Sequence, residues 1–214
     1  MPKKDVTEVE EQDGKGLLTQ LNDYLAAGVH IGTKFKTKFM QNYIFKTRDD
    51  GLTILNVQKI DKRIRTIAQF LSQFEPKDIL IVGRRDSAKK PISVFAKITN
   101  IQAIPGRYLP GTLTNHELPK YHEAKIMIAS DPWSDKNAVN DALKSNIPVI
   151  ALADSNNSTQ KIDLVLPCNN KGKKSLATIY FLLAREYIKA RGELKNNADF
   201  KYEIKDFMEE KTKE

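Results

Sequence analysis

The sequence predicts an α/β protein: a three-layer sandwich around a parallel sheet of about five strands, preceded by an N-terminal helix and a β-hairpin. Short, wholly apolar runs at 79–82, 126–129 and 149–153 read as strands buried on both faces. Longer segments between them carry apolar residues at helical spacing. The two kinds alternate, and right-handed crossovers turn such alternation into a doubly wound sheet. A chain of 214 residues is long enough to bury this core without a metal or a disulfide.

The elements follow in order. Residues 1–16 form an acidic lead expected to be flexible. Leu17, Leu18, Leu21 and Leu25 then mark a helix, and Gly28 supplies its stop. After a basic stretch, 43–45 and 52–57 read as strands paired around Asp50-Gly51, a strong hairpin signal. Ile60, Ile64, Ile67, Ala68, Leu71 and Phe74 form the inward stripe of an amphipathic helix. The strand at 79–82 leads into a helix over 87–98, with Pro91 in its first turn, and then a strand at 101–104. An irregular stretch, 105–123, separates it from the strand at 126–129. Ala138, Val139, Ala142 and Leu143 mark a helix; 149–153 and 164–166 are the last strands and 175–191 the last helix. One domain therefore spans 17–193, and 194–214 is a charged tail. In that tail Phe200, Ile204, Phe207 and Met208 share one face of a potential helix. So short a stripe needs a partner, expected to be a neighbouring protein or RNA.

Of 35 cations and 27 acids, the lead and the segment 193–214 hold 8 and 12, which leaves residues 17–192 with a net charge of +12. A body so basic repels itself unless it meets a polyanion, and nucleic acid is the commonest in the cytosol. Cys168 is the single cysteine, which excludes an internal disulfide and suits a reducing compartment. The most apolar run, 176–184, is too short to span a membrane. Met1-Pro2-Lys3-Lys4-Asp5 leads into acids rather than an apolar signal segment. A cytoplasmic protein without a membrane partner is expected.

Several segments could carry chemistry. Residues 32–48 contain Lys34, Lys36, Lys38, Lys46 and Arg48 and no acid, with Phe35 and Phe39 between the lysines. Cations there neutralise phosphates, while the aromatics either stack on unpaired bases or belong to the core. Gly83-Arg84-Arg85-Asp86-Ser87 follows the first parallel strand, where phosphates bind doubly wound sheets. It lacks the glycines of a dinucleotide fingerprint, so Arg84 and Arg85 suit RNA, a nucleotide phosphate or plain solvent. Lys89 and Lys90 follow on the next helix, and Arg107 lies in a turn-rich stretch that is either a recognition loop or a protein contact. Lys171-Gly172-Lys173-Lys174-Ser175 fails as a nucleotide-binding P-loop, because Lys174 intervenes and Pro167 replaces the required glycine. It still puts Lys171, Lys173 and Lys174 at a helix N-terminus, where the dipole disfavours cations and an external anion would compensate. Cys168, His30, His116 and His122 form no catalytic or metal-ligating constellation, so neither a cofactor nor a metal is expected.

Four motifs resemble a known family. They are Ala26-Ala27-Gly28-Val29-His30-Ile31-Gly32, then residues 104–115 with Pro105-Gly106-Arg107-Tyr108-Leu109-Pro110-Gly111-Thr112, then Pro148-Val149-Ile150-Ala151-Leu152-Ala153-Asp154, and Asn169-Asn170-Lys171-Gly172. They are similar, in order from Leu17 to Glu193, to the second small-subunit ribosomal protein family. The archaeal branch, related to the eukaryotic laminin-receptor-like ribosomal protein SA, resembles the chain best. The resemblance implies a flavodoxin-like sandwich with a disused substrate site. It also implies small-subunit rRNA and neighbouring ribosomal proteins as partners, no small-molecule substrate, and a seat between head and body near the messenger exit. The bacterial branch inserts a coiled-coil hairpin after the second helix; here Phe74-Glu75-Pro76-Lys77 runs straight on to Ile79. The eukaryotic C-terminal extension, and the cell-surface roles that go with it, are not expected. The rival reading is an enzyme that binds a nucleotide or flavin on the same sheet.

Overall fold

The computed structural model describes residues 16–194 and 199–208; the acidic lead and the rest of the tail lie outside the described residues. Helix α1 (Leu21–Ala27) starts later than the leucine spacing predicts, and its buried residue is Tyr24. Asp61 Oδ1 accepts from the Tyr24 hydroxyl at 3.0 Å and from the Leu18 N–H at 2.7 Å, so one carboxylate ties both the helix and the residues before it. Gly28 ends α1 at φ 68°, a left-handed conformation that glycine adopts without strain.

Strands β1 (Ile44–Thr47) and β2 (Thr53–Leu55) pair antiparallel around Asp50-Gly51. Val57 belongs instead to α2 (Val57–Leu71), because the Asn56 side chain caps that helix by accepting from the Lys59 N–H at 3.2 Å. The main sheet holds β3 (Ile79–Gly83), β4 (Gln102–Pro105), β5 (Ile126–Ala129), β6 (Val149–Ala153) and β7 (Leu164–Pro167). All neighbours are parallel, in the order β4-β3-β5-β6-β7, which is the flavodoxin-like winding with its switch point between β3 and β5. Pro105 ends β4 opposite Gly83; an edge strand tolerates a residue that donates no hydrogen bond.

Helices α3 (Asp86–Thr99), α4 (Lys136–Lys144) and α5 (Lys173–Ala190) complete the layers. Because α3 begins at Asp86, Pro91 falls in its second turn, not its first, and the Ser87 carbonyl lacks a helical donor. On one face Ile81, Ile128 and Leu152 meet Ile64 of α2, Phe95 of α3 and Leu183 of α5. On the other, Val82, Met127 and Ala151 meet Ala138 and Ala142 of α4 together with Tyr108 and Leu113. A single helix cannot cover that second face. The irregular stretch covers the remainder, anchored where Asp141 Oδ2 accepts from the Tyr108 hydroxyl at 3.2 Å and the Gly111 N–H at 2.9 Å.

The tail corrects an expectation. Its apolar stripe forms only a short 3-10 turn (Ile204–Phe207), and it packs on this chain's own α5. Phe207 is fully buried, and the Phe181 ring lies 5.5 Å from Phe200 and 6.0 Å from Phe207, both edge-on. Among the described residues no helix is long and apolar enough to cross a membrane.

Candidate nucleic-acid interface

The carboxyl ends of the parallel strands, where doubly wound sheets hold their ligands, are occupied here in large part by the protein's own side chains. Asp131, after β5, accepts from Arg85 at 2.6 Å, from the Trp133 N–H at 3.1 Å, from the Ser134 hydroxyl at 2.9 Å and from the Asn157 amide at 3.1 Å. Asp154, after β6, is paired to Lys171 at 3.1 Å. Asn170 donates to the Leu152 carbonyl at 3.0 Å and to Asn157 Oδ1 at 3.0 Å. At the switch point itself Asp135 receives the Arg84 N–H at 2.9 Å and the Asp131 N–H at 3.1 Å. Burial lifts the Asp135 carboxyl to about 6, although those two N–H groups oppose the shift. Asp131, Asp154, Asn157 and Asn170 are buried and occupy the crevice beyond β5 and β6, while at the switch point Arg84, Arg107, Tyr108, Ser134 and Asp135 line a cavity of about 160 Å³.

The basic segment lies on top of that network. Thr33 and Thr37 point inward: the Thr33 N–H donates to Ser155 Oγ at 2.9 Å, the Thr37 N–H to the Ser155 carbonyl at 2.9 Å, and the Thr37 hydroxyl to the Asn157 carbonyl at 2.8 Å. Lys34, Lys36 and Lys38 therefore face solvent. Gly32 does not release this loop, as its place after α1 suggests; it is packed. A Cβ there would stand 3.0 Å from both Ser155 Oγ and the Thr53 carbonyl. Phe35 and Phe39 are 79% and 46% exposed, which settles them outside the core. The segment is also tied to the hairpin, since Gly32 N–H donates to the Thr53 carbonyl at 2.9 Å and Thr53 N–H to the Thr33 carbonyl at 3.1 Å. That unit carries Lys46 and Arg48, both exposed.

The remaining predicted cations divide by what holds them. Arg85 is bound inward by Asp131, and Lys171 by Asp154. Lys89 pairs with exposed Asp86 at 2.6 Å, and its stem lies beside Gly106 at the end of β4. Lys173 faces the same Asp86 and helps to hold that carboxyl below its ordinary value, after the larger effect of Lys89. Arg84, Lys90, Arg107 and Lys174 are exposed and have no ion pair among the described residues. The same holds for Lys34, Lys36, Lys38, Lys46 and Arg48.

One group of cations escaped the sequence reading. Lys59, Lys62, Arg63 and Thr66 of α2, with Asn42 and Tyr43, line a groove of about 420 Å³ that contains no acid. The Arg63 guanidinium donates to the Tyr43 hydroxyl at 2.9 Å, and Lys59 reaches the Asn42 carbonyl. The signal was available, because these positions recur at helical spacing opposite the apolar stripe of α2.

Comparison with known proteins places the chain in a family. A family model described as ribosomal protein S2 matches residues 24–125 and 120–190. The chain is 47% identical over 190 residues to small ribosomal subunit protein uS2 of Nanoarchaeum equitans, covering 89% of this chain and 94% of the relative. It is 48% identical over 191 residues to uS2 of Thermoplasma acidophilum, covering 89% and 96%. With uS2 of Methanococcus maripaludis it shares 46% identity over 189 residues, covering 88% and 86%. The chain belongs to the ribosomal protein S2 family. The family resemblance seen in the sequence now has a structural meaning. Asp154 and Asn170 help occupy the crevice, and the Asn169 side chain donates to the Gly28 carbonyl at 3.2 Å and accepts from the Lys171 and Gly172 N–H groups at 3.0 and 3.1 Å.

Proposed function

We propose that this chain is a structural constituent of the small ribosomal subunit, that it binds small-subunit rRNA, and that it catalyses nothing itself. The relatives carry the name of a small-subunit protein. One observation carries the rest: cations without an ion pair face outward above a crevice that hydrogen-bonded side chains largely occupy. The buried polar network beyond β5 and β6, in which only the Asn170 Oδ1 lacks a partner among these side chains, occupies most of that crevice, which weighs against the enzyme reading. Burial also pushes the Cys168 thiol well above its ordinary value, so it is no nucleophile.

In this reading the body from 17 to 193 carries the RNA contact, and the acidic lead and tail do not. The contacting cations are Lys34, Lys36, Lys38, Lys46, Arg48, Arg84, Lys90, Arg107 and Lys174. The inward-held Arg85 and Lys171 set the loops that present them, and Lys89 and Lys173 share Asp86. The chain sits in the cytoplasm between the head and body of the subunit, against neighbouring ribosomal proteins. Sucrose-gradient sedimentation of a cell extract tests this. Most copies should travel with small subunits. Copies that stay at the top, together with stoichiometric micromolar binding of a nucleotide or flavin by purified protein, would overturn it.

A further inference from the structure

We propose that the groove beside Trp133 receives one unpaired nucleotide of the RNA, its base stacked on the indole and its phosphate between Lys136 and Lys161. This rests on the rRNA-binding reading and adds a site to it. Trp133 is the only tryptophan of the chain, and it is 68% exposed. Its loop is nonetheless rigidly built. Asp131 accepts from the Trp133 N–H at 3.1 Å and from the Ser134 hydroxyl at 2.9 Å, and the Asp135 N–H closes the turn on the Asp131 carbonyl at 2.9 Å. A large aromatic held outward on a locked loop gives the fold little and offers a binding partner a preorganised face.

The surroundings choose the partner. A groove of about 370 Å³ runs from the indole between α4 and the loop after β6, over Pro132, Val139 and Ile162. Lys136 and Lys161 stand on its rims, and no acid lines it. An apolar peptide side chain would use the indole but leave both cations uncompensated. A nucleotide uses both, since every base has a stacking face and every phosphate needs a cation. The site also continues the basic surface. Ser155 and Asn157 hold Thr37, and Asn157 also lines the groove together with Asn156 and Ser158.

The single tryptophan makes the test direct. Indole emission of the full-length protein is followed during titration with short single-stranded oligoadenylate, and separately with an RNA duplex of equal length. Filter binding of small-subunit rRNA is measured in parallel. Oligoadenylate should quench the emission saturably and shield the indole from acrylamide; the duplex should do neither. Trp133→Ala should weaken oligoadenylate binding by about 5- to 150-fold, whereas Trp133→Phe should retain most of it. Replacing Lys136 and Lys161 by Gln should flatten the salt dependence by about 0.7 log units per log unit of salt, as one phosphate contact is lost. If rRNA binds and the indole stays unquenched and open to acrylamide, this site is wrong and the rRNA reading stands. If wild-type protein binds neither RNA, both fall. An indole shielded only when other ribosomal proteins are added would assign the groove to a protein and overturn the proposal.

Discussion

Arg84 and Arg85 are adjacent in sequence, and the structure predicts opposite consequences when each is removed. Arg85 makes two short contacts to Asp131 Oδ2, at 2.6 and 2.7 Å, and that carboxylate is only 1% exposed. Removing one partner of a fully buried pair costs about 3–5 kcal/mol. The guanidinium here is a third exposed, and Asp131 keeps its other donors, so Arg85→Ala should cost about 2 kcal/mol. In a domain of this size that lowers Tm by about 4–8 °C. Arg84 is exposed and contributes to the network only through its main-chain N–H, which alanine retains. Arg84→Ala should therefore stay within about 0.5 kcal/mol of the parent. Its effect should appear in rRNA affinity, with the slope of log K against log salt falling by somewhat under one unit. Calorimetry and salt-series filter binding on both variants separate the two roles. A stable Arg85→Ala that loses rRNA affinity would refute the assignment of Arg85 to the fold.

Replacing Lys34, Lys36 and Lys38 together by Ala should lower rRNA affinity and flatten its salt slope by roughly 2–3 units, with circular dichroism and Tm nearly unchanged. Phe35→Ala with Phe39→Ala should cost about 1–3 kcal/mol of binding per stacked base, read by the same filter assay, and little stability, since both rings face solvent. Phe207→Ala should destabilise the body by about 3–5 kcal/mol in urea unfolding, because the ring is fully buried beside Phe181. Asp135 sets a pH dependence. Its folded pKa of about 6 lies above the ordinary 3.8, so its contribution is complete below about pH 4 and is lost as pH rises through 6, by about 3 kcal/mol in all. Urea midpoints taken across that window for wild type and Asp135→Asn should differ in slope accordingly; parallel curves would show that the group ionises normally.

The layer order and most element positions were legible because they depend on neighbours in sequence. Apolar runs at 126–129 and 149–153 are strands buried on both faces, Asp50-Gly51 is a hairpin turn, and the stripe from Ile60 to Leu71 is one face of a helix. The basic character of 32–48 was equally plain, since charge is a property of composition. Errors came where a distant group intervened. The Leu18 N–H ahead of α1 is bonded to Asp61, 43 residues on, and α5 gave the tail the partner that its stripe lacks locally. Which cations remain free was beyond any local rule. Arg84 and Arg85 look alike until β5 brings Asp131 to one of them from 46 residues away. Phe35 reads as core or stacking surface until Ser155, 120 residues on, accepts the role of anchoring its backbone and turns the ring outward. Local preferences act over a few residues and so are written in the sequence. The pairing of charges and the facing of side chains depend on which crossovers bring remote segments together, and only the folded sheet decides that.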